Sequence, residues 1–358
     1  MNARIKIFLE EYNKGLGHGE PAIFPNIIFR VKDGINANPE DKYYYLFELA
    51  CRVSAKRMNP TYLNIDNTIN KLNYDKGFTP CTMGCRTRVQ EDINGEPIPD
   101  GRGNIAPTTI NLPRLAIMAE GDIDKFFTSL DTTITLAKDS LLHRYSVLKN
   151  KKVRDLPFIA GEGVWKYTEG LSPDDTIEPI LKHGTYGIGF IGLAETLIAL
   201  TGKHHGESEE AQKLGLKIVN FIREKCNYFK QFYKLNFSCY ATPAEGLSGH
   251  FIALDKERFG IISGVTDKDY YTNSFHVPVY YVIPITKKIS IEAPYHNICN
   301  GGHISYIELD NYPDAEHIMG IVNYARKQDI SYIGVNFHIR YCRNCYEYLS
   351  GYEQHCHN

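Results

Sequence analysis

The stretch "CTMGCRTRV" (81–89) places two cysteines four residues apart, around a glycine, straight after Thr79-Pro80. Three chemistries suit such a stretch: half of a metal site, a pair of small buried residues, or a reactive sulfur displayed on a loop. No histidine or second cysteine pair lies nearby in sequence to complete a ligand set. A free cysteine usually behaves as a small buried hydrophobe. Gly84 permits a sharp backbone and close approach of another group, and the Arg86 cation would lower the pKa of a neighbouring thiol. The stretch alone leaves all three readings open.

Composition narrows the class. The 358 residues are enough for one large domain or two ordinary ones, and 43% hydrophobic with 23% charged residues is ordinary globular chemistry. A net charge of −2 argues against a nucleic-acid surface or an acidic-membrane surface built on bulk charge. The start "MNARIKIFLEEYNKG" is amphipathic and charged, without the apolar core of a secretory signal, and "HVPVYYVIPI" (276–285) is too short to span a bilayer. A soluble, cytoplasmic protein is expected. Nine cysteines then read as reduced thiols, ligands or catalysts.

Helical periodicity predicts helices over 41–57, with Asp41 at the N-cap, over 113–150, with a break at Gly121-Asp122, and over 208–236. Strands are expected at 22–31, 61–66, 236–242, 277–285 and 331–339, and a loop excursion at 93–104. Strands alternating with helices point to an α/β fold with a largely parallel sheet or barrel. "GTYGIGFIGLAE" (184–195) is glycine-rich and precedes a helix, so it could receive phosphates on backbone amides, or simply allow tight helix packing.

Several motifs occur in one order: "MGCRTRV", "GRGN", "TTINLPRLAI", "YGIGFIGLAETL", "ATPAEGLSGHF", "YYTNSFHVPV" and "CRNC". Together with "FPNIIFRVKDGINAN" and "PTYLNIDN" near the start, they resemble the anaerobic, class III ribonucleotide reductases, a family of glycyl-radical enzymes. The resemblance implies part of a ten-stranded α/β barrel surrounded by helices, over 1–340, with a central finger loop that carries a reactive cysteine. On that pattern Cys85 matches the thiyl-radical cysteine, with Cys81 the second candidate. A sulfur radical can remove the ribose 3′ hydrogen reversibly, provided the protein holds it beside the sugar. Asn111 of "INLPR" matches a residue that hydrogen-bonds the ribose, its bare alternative being a turn or cap before Pro113. Tyr240 and Glu245 of "YATPAE" match active-site positions in members that use formate as reductant. There Glu245 is expected to be a buried general base, its alternative being a surface carboxylate at a helix start.

The resemblance also implies ribonucleoside triphosphates as substrates, a radical-generating iron–sulfur activase as partner and a homodimer in the complete enzyme. A structural zinc is implied near the end: Cys342, Cys345 and Cys356 supply three of four ligands in an incomplete segment over 341–358, with His357 a candidate fourth. The match begins near the middle of the family pattern. The sequence given stops at "HCHN", and Gly351, between metal-ligand positions, does not match the radical glycine. The expectation is therefore a fragment, a truncated gene or a piece completed by another polypeptide, with the glycyl radical present only in the complete enzyme. The rivals are another glycyl-radical enzyme and a non-catalytic scaffold ending in a zinc-ribbon binding module.

Overall fold

The computed structural model describes residues 2–17, 19–20, 22, 24–84, 86–89, 91–338, 340–342, 345 and 348–349. Two compact units emerge: Met1–Leu72, Ile283–Ala293 and Ile304–Asn358 form one, and Asn73–Val282 with Pro294–His303 the other. The first opens with α1 (Asn2–Lys14), β1 (Ile28–Val31), α2 (Tyr44–Arg57), β2 (Thr61–Asn64) and α3 (Thr68–Tyr74). Helix α2 starts at Tyr44, two residues later than an Asp41 N-cap predicts. The Asp41 carboxylate instead accepts from the backbone N–H groups of Ala37 and Asn38, capping the turn before the helix. The strand expected from residue 22 is confined to Ile28–Val31.

The second unit holds β3 (Asn104–Asn111), α4 (Leu112–Ala119), α5 (Ile123–Leu148), α6 (Glu178–Leu181), β4 (Thr185–Ile191) and α7 (Leu193–Thr201). It continues through α8 (Glu209–Tyr233), β5 (Asn236–Ala241) and α9 (Glu245–Phe259). The break predicted at Gly121-Asp122 is real: Glu120 and Gly121 both adopt positive φ, and the Asp122 carboxylate caps α5 through the N–H groups of Asp124 and Lys125. Phe126, Leu130, Ile134, Ala137 and Leu141 recur every three or four residues along α5, so one stripe is buried in the apolar core over the sheet. Ser208 caps α8 through the N–H of Ala211.

Strands β3, β4 and β5 form a parallel three-stranded sheet in that order. Strand β4 occupies the glycine-rich stretch and is buried at every position. Its glycines answer to the neighbouring strand. A Cβ on Gly189 would stand 2.0 Å from Thr242 Oγ1, and one on Gly187 would touch the Tyr240 ring at 3.6 Å. The two positions thus stay bare so that β5 side chains can lie across β4.

No strand forms over 277–285. Pro278 and Pro284 lack a backbone N–H, and the N–H of Tyr281 turns back to the carbonyl of Pro278. Helix α10 (Ile285–Ile298) follows, then β6 (Ser305–Leu309), α11 (Ala315–Lys327), β7 (Tyr332–Phe337) and the short pair β8 (Arg340–Tyr341) and β9 (Tyr348–Leu349). In the first unit the sheet order is β1-β2-β7-β6, with only the β2–β7 contact antiparallel. Its core gathers Phe29, Phe47 and Tyr62, with ring centroids 6.0–6.3 Å apart.

Candidate active site

Parallel sheets present ligand sites at the carboxyl ends of their strands, where loops and helix starts converge. In the second unit those ends are Asn111 on β3, Ile191 and Gly192 on β4, and Ala241 and Thr242 on β5. The hydroxyls of Thr109 and Thr242 share a hydrogen bond of 3.0 Å across this end of the sheet. Tyr240 is 5% exposed, and its hydroxyl shares a hydrogen bond of 2.9 Å with Thr87 Oγ1.

That bond ties the "MGCRT" segment to β5. Met83 and Thr87 exchange two backbone hydrogen bonds, of 2.7 and 3.1 Å. Arg86 donates from Nη1 to the carbonyl of Thr242 at 3.4 Å, and the N–H of Arg88 donates to the carbonyl of Gly301. Gly301 and Gly302 in turn hold β5, through Gly301 N–H to the carbonyl of Cys239 and Ala241 N–H to the carbonyl of Gly302. Gly302 has φ of 136°, and any Cβ there would lie 2.3 Å from the carbonyl oxygen of Arg86. Only glycine fits a contact between two backbones that close. Cys85 itself lies outside the described residues. Cys81, the second candidate, is half-buried and donates its thiol to the carbonyl of Thr82 at 3.3 Å.

Asn111 is the N-cap of α4: its Oδ1 accepts from the N–H of Arg114, while its Nδ2 donates to Asp255 Oδ2 at 2.8 Å. Asp255 is fully buried and also accepts from Arg114 Nε at 2.6 Å and the Tyr271 hydroxyl at 2.8 Å. Burial, followed by that hydrogen bond, pushes the Tyr271 hydroxyl well above the usual phenol range, so it is a donor at any ordinary pH. Near the start of α7, Glu195 is 2% exposed; its Oε1 accepts from the N–H and hydroxyl of Thr272 at 2.9 and 2.6 Å. Its Oε2 is buried without a hydrogen-bond partner among the described residues. Burial raises this carboxyl above the usual range against the lowering effect of Thr272. Glu245 is the first residue of α9 and is exposed. The helix start is as its alternative reading describes, and no hydrogen bond joins Glu245 to Asn111 or Tyr240 among the described contacts.

Asp255, Arg114, Tyr271 and Glu195 are absent from the sequence-based site. One signal for Asp255 was present: on α9 it continues the buried stripe of Ser248 and Ile252 at helical spacing, where an apolar residue is the ordinary choice. At the other end of the chain, Cys342 and Cys345 are half-buried and lie in sequence between β8 and β9, which pair antiparallel with Arg340 opposite Leu349. A Cys-x-x-Cys spacing suits half of a tetrahedral thiolate site. Cys356 and His357 lie outside the described residues, and no cluster of three metal-binding side chains occurs among those described.

A family model described as anaerobic ribonucleoside-triphosphate reductase matches residues 1–358. The chain belongs to the anaerobic ribonucleoside-triphosphate reductase family. The enzyme of that name from Escherichia coli K12 is 38% identical over 341 residues, which is 92% of this chain and 46% of that protein. The enterobacteria phage T4 enzyme is 35% identical over 350 residues, 95% of this chain and 55% of its own length. The chain thus spans about half the length of these relatives. Among solved structures, the Thermotoga maritima anaerobic ribonucleotide reductase in complex with dATP and CTP superposes with a TM-score of 0.69 at 18% identity, over 99% of this chain and 53% of that one. The B12-independent glycerol dehydratase of Clostridium butyricum superposes with a TM-score of 0.63 at 12% identity, over 88% of this chain and 47% of that one. The α/β fold is therefore one that anaerobic reductases share with a dehydratase.

Proposed function

We propose that this chain is the catalytic-core portion of an anaerobic ribonucleoside-triphosphate reductase, making deoxyribonucleotides by thiyl-radical chemistry in the cytoplasm. The observation that carries this reading is the stitching of the "MGCRT" segment onto the carboxyl end of β5, beside Tyr240 and across the sheet from Asn111. Radical chemistry asks little of a protein except position, and a segment fixed through backbone contacts meets that demand. In this reading a glycyl radical, made by an iron–sulfur activase, supplies the oxidising equivalent that leaves Cys85 as the hydrogen-abstracting sulfur. Asn111 binds the ribose, Tyr240 lines the cavity, and Glu245 takes the 3′ hydroxyl proton while the 2′ hydroxyl takes up a proton and leaves as water, with formate, oxidised to carbon dioxide, as the reductant. Glu245 is exposed, which departs from the buried base expected and matches a surface carboxylate at a helix start, so this role requires bound substrate to cover it. Residues 1–340 then belong to the ten-stranded barrel and 341–358 to a zinc segment, in which Cys342, Cys345 and Cys356 hold the metal. The working enzyme is a homodimer completed by the remaining polypeptide.

A chimera tests this: the matching segment of the Escherichia coli enzyme is replaced by this chain and assayed anaerobically with activase, formate and CTP. Turnover is expected in the parent chimera and in Cys81→Ser, and none in Cys85→Ser. Full turnover by Cys85→Ser would remove the assignment.

A further inference from the structure

We propose that Asp255 is a positioning residue for Asn111: it holds one N–H of the Asn111 side-chain amide, leaving the other N–H and one Oδ1 lone pair to meet a ribose hydroxyl. The inference rests on the reading of Asn111 as a ribose contact and adds the device that aims it. An asparagine amide rotates about its last bond and can exchange its oxygen and nitrogen ends at little cost. A binding residue of this type needs something to choose the face it shows. Here both ends are fixed. The Arg114 N–H occupies one lone pair of Oδ1, and Asp255 Oδ2 accepts one Nδ2 proton at 2.8 Å. Turning the amide over would set Oδ1 against a carboxylate and Nδ2 against a backbone N–H, losing two hydrogen bonds and creating two repulsions. What remains is one donor and one acceptor, the pair that a single hydroxyl satisfies.

Asp255 can play this part because it is itself pinned. Its side chain is buried, Arg114 Nε donates to Oδ1 at 2.6 Å, and the Tyr271 hydroxyl donates to Oδ2 at 2.8 Å. The guanidinium offsets the charge, and three donors satisfy the two oxygens, so the carboxylate has little freedom to follow a moving amide. A residue needed only to neutralise Arg114 would have no reason to hold Asn111 as well. The array also joins three elements: Asn111 and Arg114 flank the start of α4, Asp255 lies on α9, and Tyr271 follows in the loop beyond.

Two measurements on the full chain decide the matter. In ¹⁵N-labelled protein, with the Asn111 amide assigned through its loss in Asn111→Ser, one Nδ2 proton should exchange with water at least about tenfold more slowly than in Asp255→Asn, as expected for a charge-assisted hydrogen bond. If Asp255→Asn fails to fold with Arg114 uncompensated, the double variant Asp255→Asn/Arg114→Gln removes both charges and serves instead. Equal exchange in wild type and variant would overturn the proposal. The second measurement compares Kd for CTP with its 2′-deoxy and 3′-deoxy analogues. Wild type should prefer CTP over at least one of them by about three- to tenfold, the range of one hydrogen bond. Asp255→Asn should lose that preference as Asn111→Ser does, with no further loss when the two are combined, while still binding the deoxy analogues as wild type does. A preference that persists in Asp255→Asn would also overturn it. If wild type binds all three alike, the ribose role of Asn111 fails, and the exchange measurement still decides whether Asp255 holds the amide.

Discussion

The glycines of β4 allow a calculation. In Gly189→Ala the new methyl would lie 2.0 Å from Thr242 Oγ1 and 3.1 Å from both the Tyr240 ring and the Tyr240 carbonyl oxygen. Thr242 is 6% exposed and β-branched, so its χ1 has few alternatives, and rotating it breaks the 3.0 Å bond to Thr109. Overpacking a well-filled interior costs about 1–3 kcal/mol, and the lost hydrogen bond adds about 1 kcal/mol. A better helix and strand former in place of glycine returns less than about 1 kcal/mol. The net expectation is a destabilisation of about 1–4 kcal/mol by these terms. Urea unfolding followed by circular dichroism should show a lower midpoint with an unchanged slope. The partner is named, so a double-mutant cycle is available: Thr242→Ala removes the clashing oxygen, and Gly189→Ala should then cost at least about 1 kcal/mol less. A cost below about 0.5 kcal/mol, or the same cost with and without Thr242, would refute the claim that β5 side chains exclude a Cβ from β4.

Glu195→Gln should flatten the pH dependence of stability in the weakly acidic range. Burial raises the folded carboxyl, so folding favours its protonated form; its contribution is complete below the ordinary glutamate range and is lost as pH rises through the folded value, about 1.4 kcal/mol per unit of separation. A pH series of urea midpoints checks this, and a slope unchanged by the substitution would contradict it. Zinc titration under reducing conditions should show binding that Cys342→Ser abolishes; stoichiometric binding that survives would place the metal elsewhere.

Much of the fold was legible. The α5 and α8 stripes recur at helical spacing, and Asp122 and Ser208 cap where residue type says they should. The misses have physical causes. Strand β4 is not among the expected strands because Gly187 and Gly189 are poor strand formers, and the demand for them comes from residues that lie elsewhere in sequence. Strand β3 contains Pro107, ordinarily evidence against a strand, but in the described three-stranded sheet β3 is an edge, where a missing N–H costs no ladder bond. The stretch 277–285 has the apolar, β-branched composition of a strand, yet its prolines prevent one. Asn111 and Tyr240 stand out by motif, whereas Asp255 carries only the weak signal of its buried-stripe spacing, because a carboxylate on a helix face reads as solvent-facing until its partners are known.

The same comparison says where the precision of the site resides. The described residues among 83–88 form isolated bridges, Met83 with Thr87 and Thr87 with Gly302, and no strand of their own. They are held by Tyr240 on β5, by Thr242 just after it, and by Gly301 and Gly302 from the turn after α10, which is itself bonded to β5. Strand β5 is therefore the common reference for the segment and, through Thr242 and Thr109, for the end of β3 that carries Asn111. Rigid elements place reacting groups more precisely than loops do. A loop that borrows its geometry from a buried strand at two separate points gains that precision while keeping the sharp turn that Gly84, with φ of 53°, permits beside Cys85. A change that loosens β5 should accordingly disturb Asn111 and the "MGCRT" segment together, whereas a change at Asp255 should disturb the Asn111 side chain alone.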